Sequence, residues 1–284
     1  MKLFNNYIPY IIIYILSAAL FNEYYKLSTK KMKSSGSLTI LIELISSIIC
    51  LFFIPLFKLK FSTNINTYIM LFIAIIFYSI QDRLATISRS GIESSTYSIL
   101  KQLSTVFMIL FGIIILKEKI IIKKLLGSIL IIFSNIIVFF NKKIKFNKYI
   151  LSGIIANISL AIALFIDVNY SKEFNLGFYV FLTLLIPAIL VFIFENKKVR
   201  DIKEEFIVNN KKYLILTGLF WTVMMLSKLK AYQLGKITLI APLCSLTVLV
   251  NIIFSYFHLK EKSNLIRKIF AAIMIIIGII LIKV

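Results

Sequence analysis

Leu116-Lys117-Glu118-Lys119 returns unchanged as Leu259-Lys260-Glu261-Lys262, 143 residues further along a chain of 284 (259 − 116 = 143). Each copy follows an apolar run of roughly twenty residues, the length at which a helix crosses a bilayer. Each is followed by another such run. Four identical residues alone carry little weight. The same order of apolar run, tetrapeptide and apolar run at half-chain spacing reads as a duplicated unit.

Working outward from the two copies, ten apolar runs appear, at 7–25, 37–57, 66–89, 94–116, 121–141, 149–169, 176–194, 212–233, 237–258 and 265–283. The chain is 60% hydrophobic and 16% charged, which excludes a soluble domain of this size. Barrel strands would be about ten residues of alternating polarity, and these runs are longer and uniformly apolar. Helices satisfy their own backbone groups in hydrocarbon. The first run has Lys2 before it and Ser17-Ala18-Ala19 inside it, like a signal peptide, but its length and the nine runs that follow make it a span. Glu195 to Lys212, the longest polar stretch, reads as a charged loop. The fold class is therefore an all-α integral membrane protein of ten transmembrane helices, in two five-helix repeats, 1–142 and 147–284. Five is odd, so the second repeat runs inverted. Such repeats are the usual plan of secondary transporters and place a substrate between the copies near the midplane.

Lys and Arg number 33 against 12 acids, a net charge of +21. The basic residues sit mostly in short loops, where anionic lipid headgroups attract them; a membrane surface, not nucleic acid, is the expected partner. Counted by side, they favour the face opposite the N-terminus, which by the positive-inside rule puts both termini outside. Cys50 and Cys244 fall inside spans and form neither a disulfide framework nor a metal spacing. His258, the single histidine, excludes a histidine-based triad and a multi-histidine metal site. No Gly-rich phosphate loop is present. Neither an enzyme nor a cofactor is expected, and transport of a small molecule would run on a proton or ion gradient or by exchange.

An ionisable group at the centre of a span costs roughly 3 kcal/mol on insertion scales, so each one is a site candidate. Asp82 and Arg83 lie well inside the third run; about 100° apart on a helix, they reach toward a cavity or other helices, unless the span ends at Gln81. Lys101 stands about two turns into the fourth run, with Tyr97 at i−4 and Gln102 beside it. It either binds an anionic group or carries a proton, or else it snorkels to the interface. Glu43 in the second run is its nearest plausible counter-ion. Lys228 shares a helix face with Tyr232 at i+4 and either faces substrate or anchors a helix end. Trp221, seven residues earlier, is a stacking wall or a lipid-facing ring. Asn157 and Asn251 bind substrate or bridge helices. Glu118 and Glu261, at helix N-termini, are structural. The third, fourth, eighth and ninth helices are expected to line the cavity.

The stretch Ser98-Ile99-Leu100-Lys101-Gln102-Leu103-Ser104-Thr105-Val106-Phe107, then the first tetrapeptide and Gly127-Ser128-Ile129-Leu130, resembles the first repeat of EamA-type members of the drug/metabolite transporter superfamily. Ala231-Tyr232-Gln233-Leu234-Gly235, Ala241-Pro242-Leu243, Leu259-Lys260-Glu261 and the closing Ile275–Ile282 run resemble the second. The resemblance implies a ten-helix inverted-repeat carrier with both termini in the cytoplasm, and it identifies a superfamily rather than a substrate. That orientation is the reverse of the charge count. The leading reading is a secondary transporter or exporter of a small polar metabolite, working by alternating access in a bacterial cytoplasmic membrane. Tyr78-Ser79-Ile80-Gln81, with Thr96-Tyr97 and Gln102-Leu103, is also similar to nucleotide-sugar antiporters of the Golgi, although Asp82-Arg83 stands where that branch has Asn-Asn. A non-transporting scaffold is the remaining alternative.

Overall fold

The computed structural model describes residues 6–117, 147–260 and 265–283, with short pieces between 122 and 134. The described residues form helices: α1 (Ile8–Thr29), α2 (Ser35–Leu51), α3 (Ile65–Gly91), α4 (Ser94–Leu100), α5 (Gln102–Ile114), α6 (Lys148–Tyr170), α7 (Leu176–Phe194), α8 (Val199–Val208), α9 (Lys211–Leu234), α10 (Ile237–Cys244), α11 (Thr247–Phe257) and α12 (Leu265–Lys283). Asparagines start four of them. The Oδ1 atoms of Asn64, Asn147, Asn175 and Asn210 accept backbone N–H groups in the first turns of α3, α6, α7 and α9, satisfying donors that a helix start leaves open.

Among the described residues, six helical segments are long and apolar enough to cross a membrane: Ile8–Thr29, Ile65–Gly91, Ser94–Ile114, Lys148–Glu173, Leu176–Phe194 and Lys211–Leu234. The sequence leads one to expect ten. Ser35–Leu51 and Thr247–Phe257 are apolar but shorter. The second run is cut short because the chain turns into a 3-10 segment, Ile54–Leu56, around Pro55; the ninth is interrupted at Ser245-Leu246. Most of the fifth run, with Glu118 just before it, and Glu261 in the second tetrapeptide lie outside the described residues. Large apolar side chains such as Phe52, Ile69, Phe72, Ile193 and Phe194 point outward, a surface suited to lipid.

Glu195 to Lys212 contains a helix, α8, where the sequence reads as a loop. Ile202 and Phe206, one turn apart, pack against the core, while Arg200 and Glu204 pair on the outer face. A short stretch needs only this much amphipathicity to form a helix on a neighbouring surface. Asp201 closes its first turn by accepting the backbone N–H of Lys198 at 2.8 Å.

The packing repeats itself at the 143-residue offset. Helix α3 lies along α6 as α1 lies along α9; α9 meets α2 as α3 meets α7; α5 meets α6 as α11 meets α1. Lys117 and Lys260, the second residues of the two tetrapeptides, both have positive φ, 51° and 57°. This backbone state is uncommon for a residue with a Cβ. Leu100 packs over Gly153 near the start of α6, and the Phe111 ring meets Phe165 near its end at 5.5 Å, so α4–α5 and α6 run in the same direction.

Polar clasps join the connections at each end. On the near side, where α1 begins, Asn175 Nδ2 donates to the carbonyls of Phe57 (2.8 Å) and Ile54 (3.2 Å). Beside it, Glu173 accepts from Ser62 Oγ and Thr67 Oγ1. On the far side, the backbone N–H groups of Lys33 and Ser34 donate to Glu205 Oε2 at 3.0 Å, and Arg83 pairs with Glu195.

Candidate functional site

Both broken helices break at matching places. Helix α4 gives way to α5 at Lys101, and α10 gives way to α11 at Ser245-Leu246; residue 101 plus the offset is 244. A helix that breaks in the membrane leaves carbonyls to be satisfied, and here hydroxyls one turn on do it. Ser104 Oγ donates to the Lys101 carbonyl at 2.7 Å, and Thr247 Oγ1 donates to the Cys244 carbonyl at 2.7 Å. Ser104 and Thr247 are themselves 143 residues apart. Thr105 Oγ1 and Ser245 Oγ, 3.1 Å apart, tie the two breaks together.

A narrow polar cavity lies around these breaks. Tyr14 and Asn22 of α1 line it, with Ser98 of α4, Lys101 at the break, and Gln102, Ser104, Thr105 and Met108 of α5. Leu164 of α6, Lys228 and Tyr232 of α9, Ala241 and Cys244 of α10, Ser245 and Thr247 complete the wall. Two lysine side chains therefore share the cavity, and among the described residues its wall carries no carboxylate. Lys228 is 6% exposed, and its Nζ lies 5.4 Å from the centre of the Tyr14 ring. It is not an anchor at a helix end.

The structure brings together four of the sequence candidates, Lys101, Gln102, Lys228 and Tyr232, on one wall. Tyr97 is buried behind that wall, its ring 4.1 Å from the Arg89 guanidinium. Trp221 does not line the cavity; it packs against Phe21 and Tyr25 at 5.4 and 6.4 Å, because its face of α9 meets α1. Asn157 Nδ2 donates back to the Gly153 carbonyl of its own helix at 2.6 Å. Asn251 reaches across to the Ser94 carbonyl at 3.1 Å, a bridge between the halves. Helix α3 continues past Gln81 to Gly91, so Asp82 and Arg83 stand within it. Arg83 points to the far-side clasp with Glu195 and Ser35. Glu43 is not the counter-ion of Lys101. It lies beside Asp82, since α2 packs on α3 rather than on α4 or α5. No residue of the expected third helix lines this cavity, and the first and sixth helices contribute to it instead.

Several residues at the site were not legible as candidates. Asp167 of α6 is fully buried and accepts from Tyr78 Oη at 2.5 Å and Tyr179 Oη at 2.7 Å, joining three helices next to Lys228. It is an acid inside the sixth run, and that signal was available. Arg89 sits among the rings of Phe21, Tyr25 and Tyr97 and donates to Asn22 Oδ1 at 2.6 Å; Asn22 Nδ2 in turn donates to Ser98 Oγ at 3.3 Å. Arg89 closes the third run, where a basic residue reads as an interface anchor.

A sequence profile described as the EamA-like transporter family matches residues 7–140 and again 147–284. No curated protein sequence matches the chain.

Proposed function

Since the chain belongs to the EamA-like transporter family twice over, it is an integral, multi-pass membrane transporter of the drug/metabolite type, and we propose that its cargo is a small polar metabolite bearing an anionic group. One observation carries this reading: Lys101 and Lys228 face a single cavity whose wall, among the described residues, holds hydroxyls, amides and tyrosines but no carboxylate. Two like charges brought together cost free energy when the cavity is empty and favour an anion when it is filled. Hydroxyls at the two helix breaks, joined by Thr105 and Ser245, supply further donors and acceptors.

The mechanism we infer is alternating access. The two repeats, 1–142 and 147–284, would rock against each other around the cavity as ten spans in inverted arrangement. Three features support this. The helix breaks match at the 143-residue offset, the pairwise packing matches at the same offset, and α4–α5 runs parallel to α6, as it must if one span separates them. A bacterial cytoplasmic membrane is the setting we infer. A nucleotide-sugar antiporter would use the same two lysines for its phosphates. The test is transport by the purified full-length chain in liposomes against amino acids, dicarboxylates, nucleosides and nucleotide sugars. Uptake restricted to anionic solutes is expected. Uptake of cations or neutral nucleosides alone would overturn the reading.

A further inference from the structure

Behind the cavity wall lies a pair of acids that the cargo reading leaves unused. Glu43 of α2 is 0% exposed, and Asp82 of α3 lies against it. Neither Glu43 oxygen takes a hydrogen bond from any described donor, and nor does Asp82 Oδ2. Three buried carboxyl oxygens thus stand without a donor, which is costly for charged groups. Two buried carboxylates in contact cannot both stay ionised. A single proton placed between them would cancel one charge and supply the missing donor.

The surroundings connect that pair to the cavity. Asp82 feels the positive charges of Arg89 and of Lys101, and Gln81 bonds to it. Tyr25 of α1 and Tyr97 of α4 lie near it, while the Tyr78 hydroxyl is turned to Asp167. Tyr25 and Thr39 both converge on the Thr86 hydroxyl, which donates to the Asp82 carbonyl at 2.9 Å. Lys101 is the one member of this group that also lines the cavity.

We propose that Glu43 and Asp82 form a proton-binding site coupled through Lys101 to the anion in the cavity, so that the transporter moves proton and anion together. This rests on the anionic-cargo reading. The sign follows from charge alone. While the cavity is empty, Lys101 helps hold Asp82 ionised. An anion seated against Lys101 opposes that field, and the pair takes its proton more readily. Binding linkage is reciprocal, so the proton tightens anion binding by the same factor, typically 5- to 150-fold for coupled sites. Proton and anion load together, which is symport. A substrate cation would give the opposite sign.

Two measurements on the full-length chain decide it. Infrared spectra in lipid nanodiscs should show a protonated buried carboxyl near neutral pH. That band should vanish in Glu43→Gln and in Asp82→Asn and persist in Glu43→Asp, which keeps the acid and controls for misfolding. Lys101→Gln should move the titration of the band upward by about one pH unit, as loss of a nearby opposite charge does. A missing band, or a midpoint unmoved in Lys101→Gln, overturns the proposal, and so does a band replaced on adding Na⁺. In liposomes loaded with a pH-sensitive dye, an inward gradient of succinate or sulfate should acidify the lumen. Glu43→Gln should still exchange the anion but no longer acidify. Anion uptake without acidification by the unmodified protein refutes symport. If neither anion moves, the anionic-cargo reading fails with these probes, and the infrared titration alone still decides whether the pair holds a proton.

Discussion

Replacing Lys101 by Gln removes one of the two ammonium groups from the cavity while leaving a side chain of similar length. Its cost can be worked from the surroundings. A hydrogen bond between an ammonium and an anionic ligand is worth about 1.5–3 kcal/mol, which is roughly a 10- to 150-fold change in affinity. Part of that returns, because the repulsion between Lys101 and Lys228 in the empty cavity disappears as well. The net expectation is about a tenfold rise in the concentration giving half-maximal uptake. Lys101→Arg should restore binding only in part, since a planar fork does not fill the place of a compact ammonium. Lys228→Gln should act in the same direction, and the double variant should cost less than the sum, because the two charges share one ligand. The assay is initial uptake in liposomes as a function of anion concentration, normalised to folded protein by size-exclusion recovery. If Lys101→Gln carries the anion with unchanged concentration dependence, Lys101 does not face the cargo, and the two-lysine argument fails.

Other consequences are more local. Tyr179→Phe should destabilise the protein by about 1.5–2 kcal/mol, above the ~0.6 kcal/mol mean for hydrogen bonds between membrane helices, because it removes a donor from the buried Asp167 carboxyl; a cycle with Asp167→Asn that shows coupling under about 0.5 kcal/mol would refute this. Gly177→Ala should cost about 1–3 kcal/mol by overpacking, since a Cβ there would lie 2.7 Å from the Ile54 Cα, a backbone atom that cannot rotate away; an unchanged melting temperature argues against that close approach. Burial holds the Glu205 carboxyl above its ordinary value, against the pull of the Ser34 and Lys33 amides and Asn209. The folded state therefore binds this proton more tightly than the unfolded state. Its contribution to stability falls as pH rises from the ordinary carboxylate range through the raised value, and Glu205→Gln should remove that fall from a pH series of thermal melts.

The sequence made the helices and the duplication legible for a simple reason. Bilayer thickness forces each span into a long apolar run, and the tetrapeptide marks the offset. Individual side chains were legible only where chemistry alone singled them out. Lys101 stood out as a cation deep in a span. Its relation to Lys228 depends on how α9 and the α4–α5 break are placed around one cavity, which no local pattern encodes. Glu43 was matched to the wrong partner for the same reason: its counterpart is fixed by α2 packing on α3. Asp167 was as anomalous in sequence as Lys101, and what gives it meaning is a pair of tyrosines from two other helices. Helix α8 was missed because ten residues with two apolar positions one turn apart barely differ from a polar loop.

The two ends of the molecule are not closed in the same way. Among the described residues, the Glu23–His258 contact at 2.8 Å and every ion pair that joins the first repeat to the second, Lys33–Glu204, Arg83–Glu195 and Glu93–Lys268, lie on the far side. At the 143-residue offset these pairs map onto Ile166–Ile115, Leu176–Phe61, Leu226–Phe52 and Lys236–Leu125, none of which can form an ion pair. An inverted-repeat transporter reaches its other state when the repeats exchange roles. Here the far-side closure has ionic support that its mirror image on the near side lacks, so the far-closed state should dominate at rest. The Glu93–Lys268 pair matters most, because Lys268 is 1% exposed. Exposed pairs contribute about 0–1 kcal/mol and removing one partner of a fully buried pair costs about 3–5 kcal/mol, so this pair, whose Glu93 side chain is 31% exposed, falls between at about 1–3 kcal/mol. Glu93→Gln should therefore raise the far-open population by roughly tenfold. Cys244 on the cavity wall reports on this, once Cys50 is replaced by Ser. A membrane-impermeant thiol reagent added from the far side should label Cys244 slowly in the parent and much faster in Glu93→Gln. Equal labelling rates would show that this pair does not hold the far side shut.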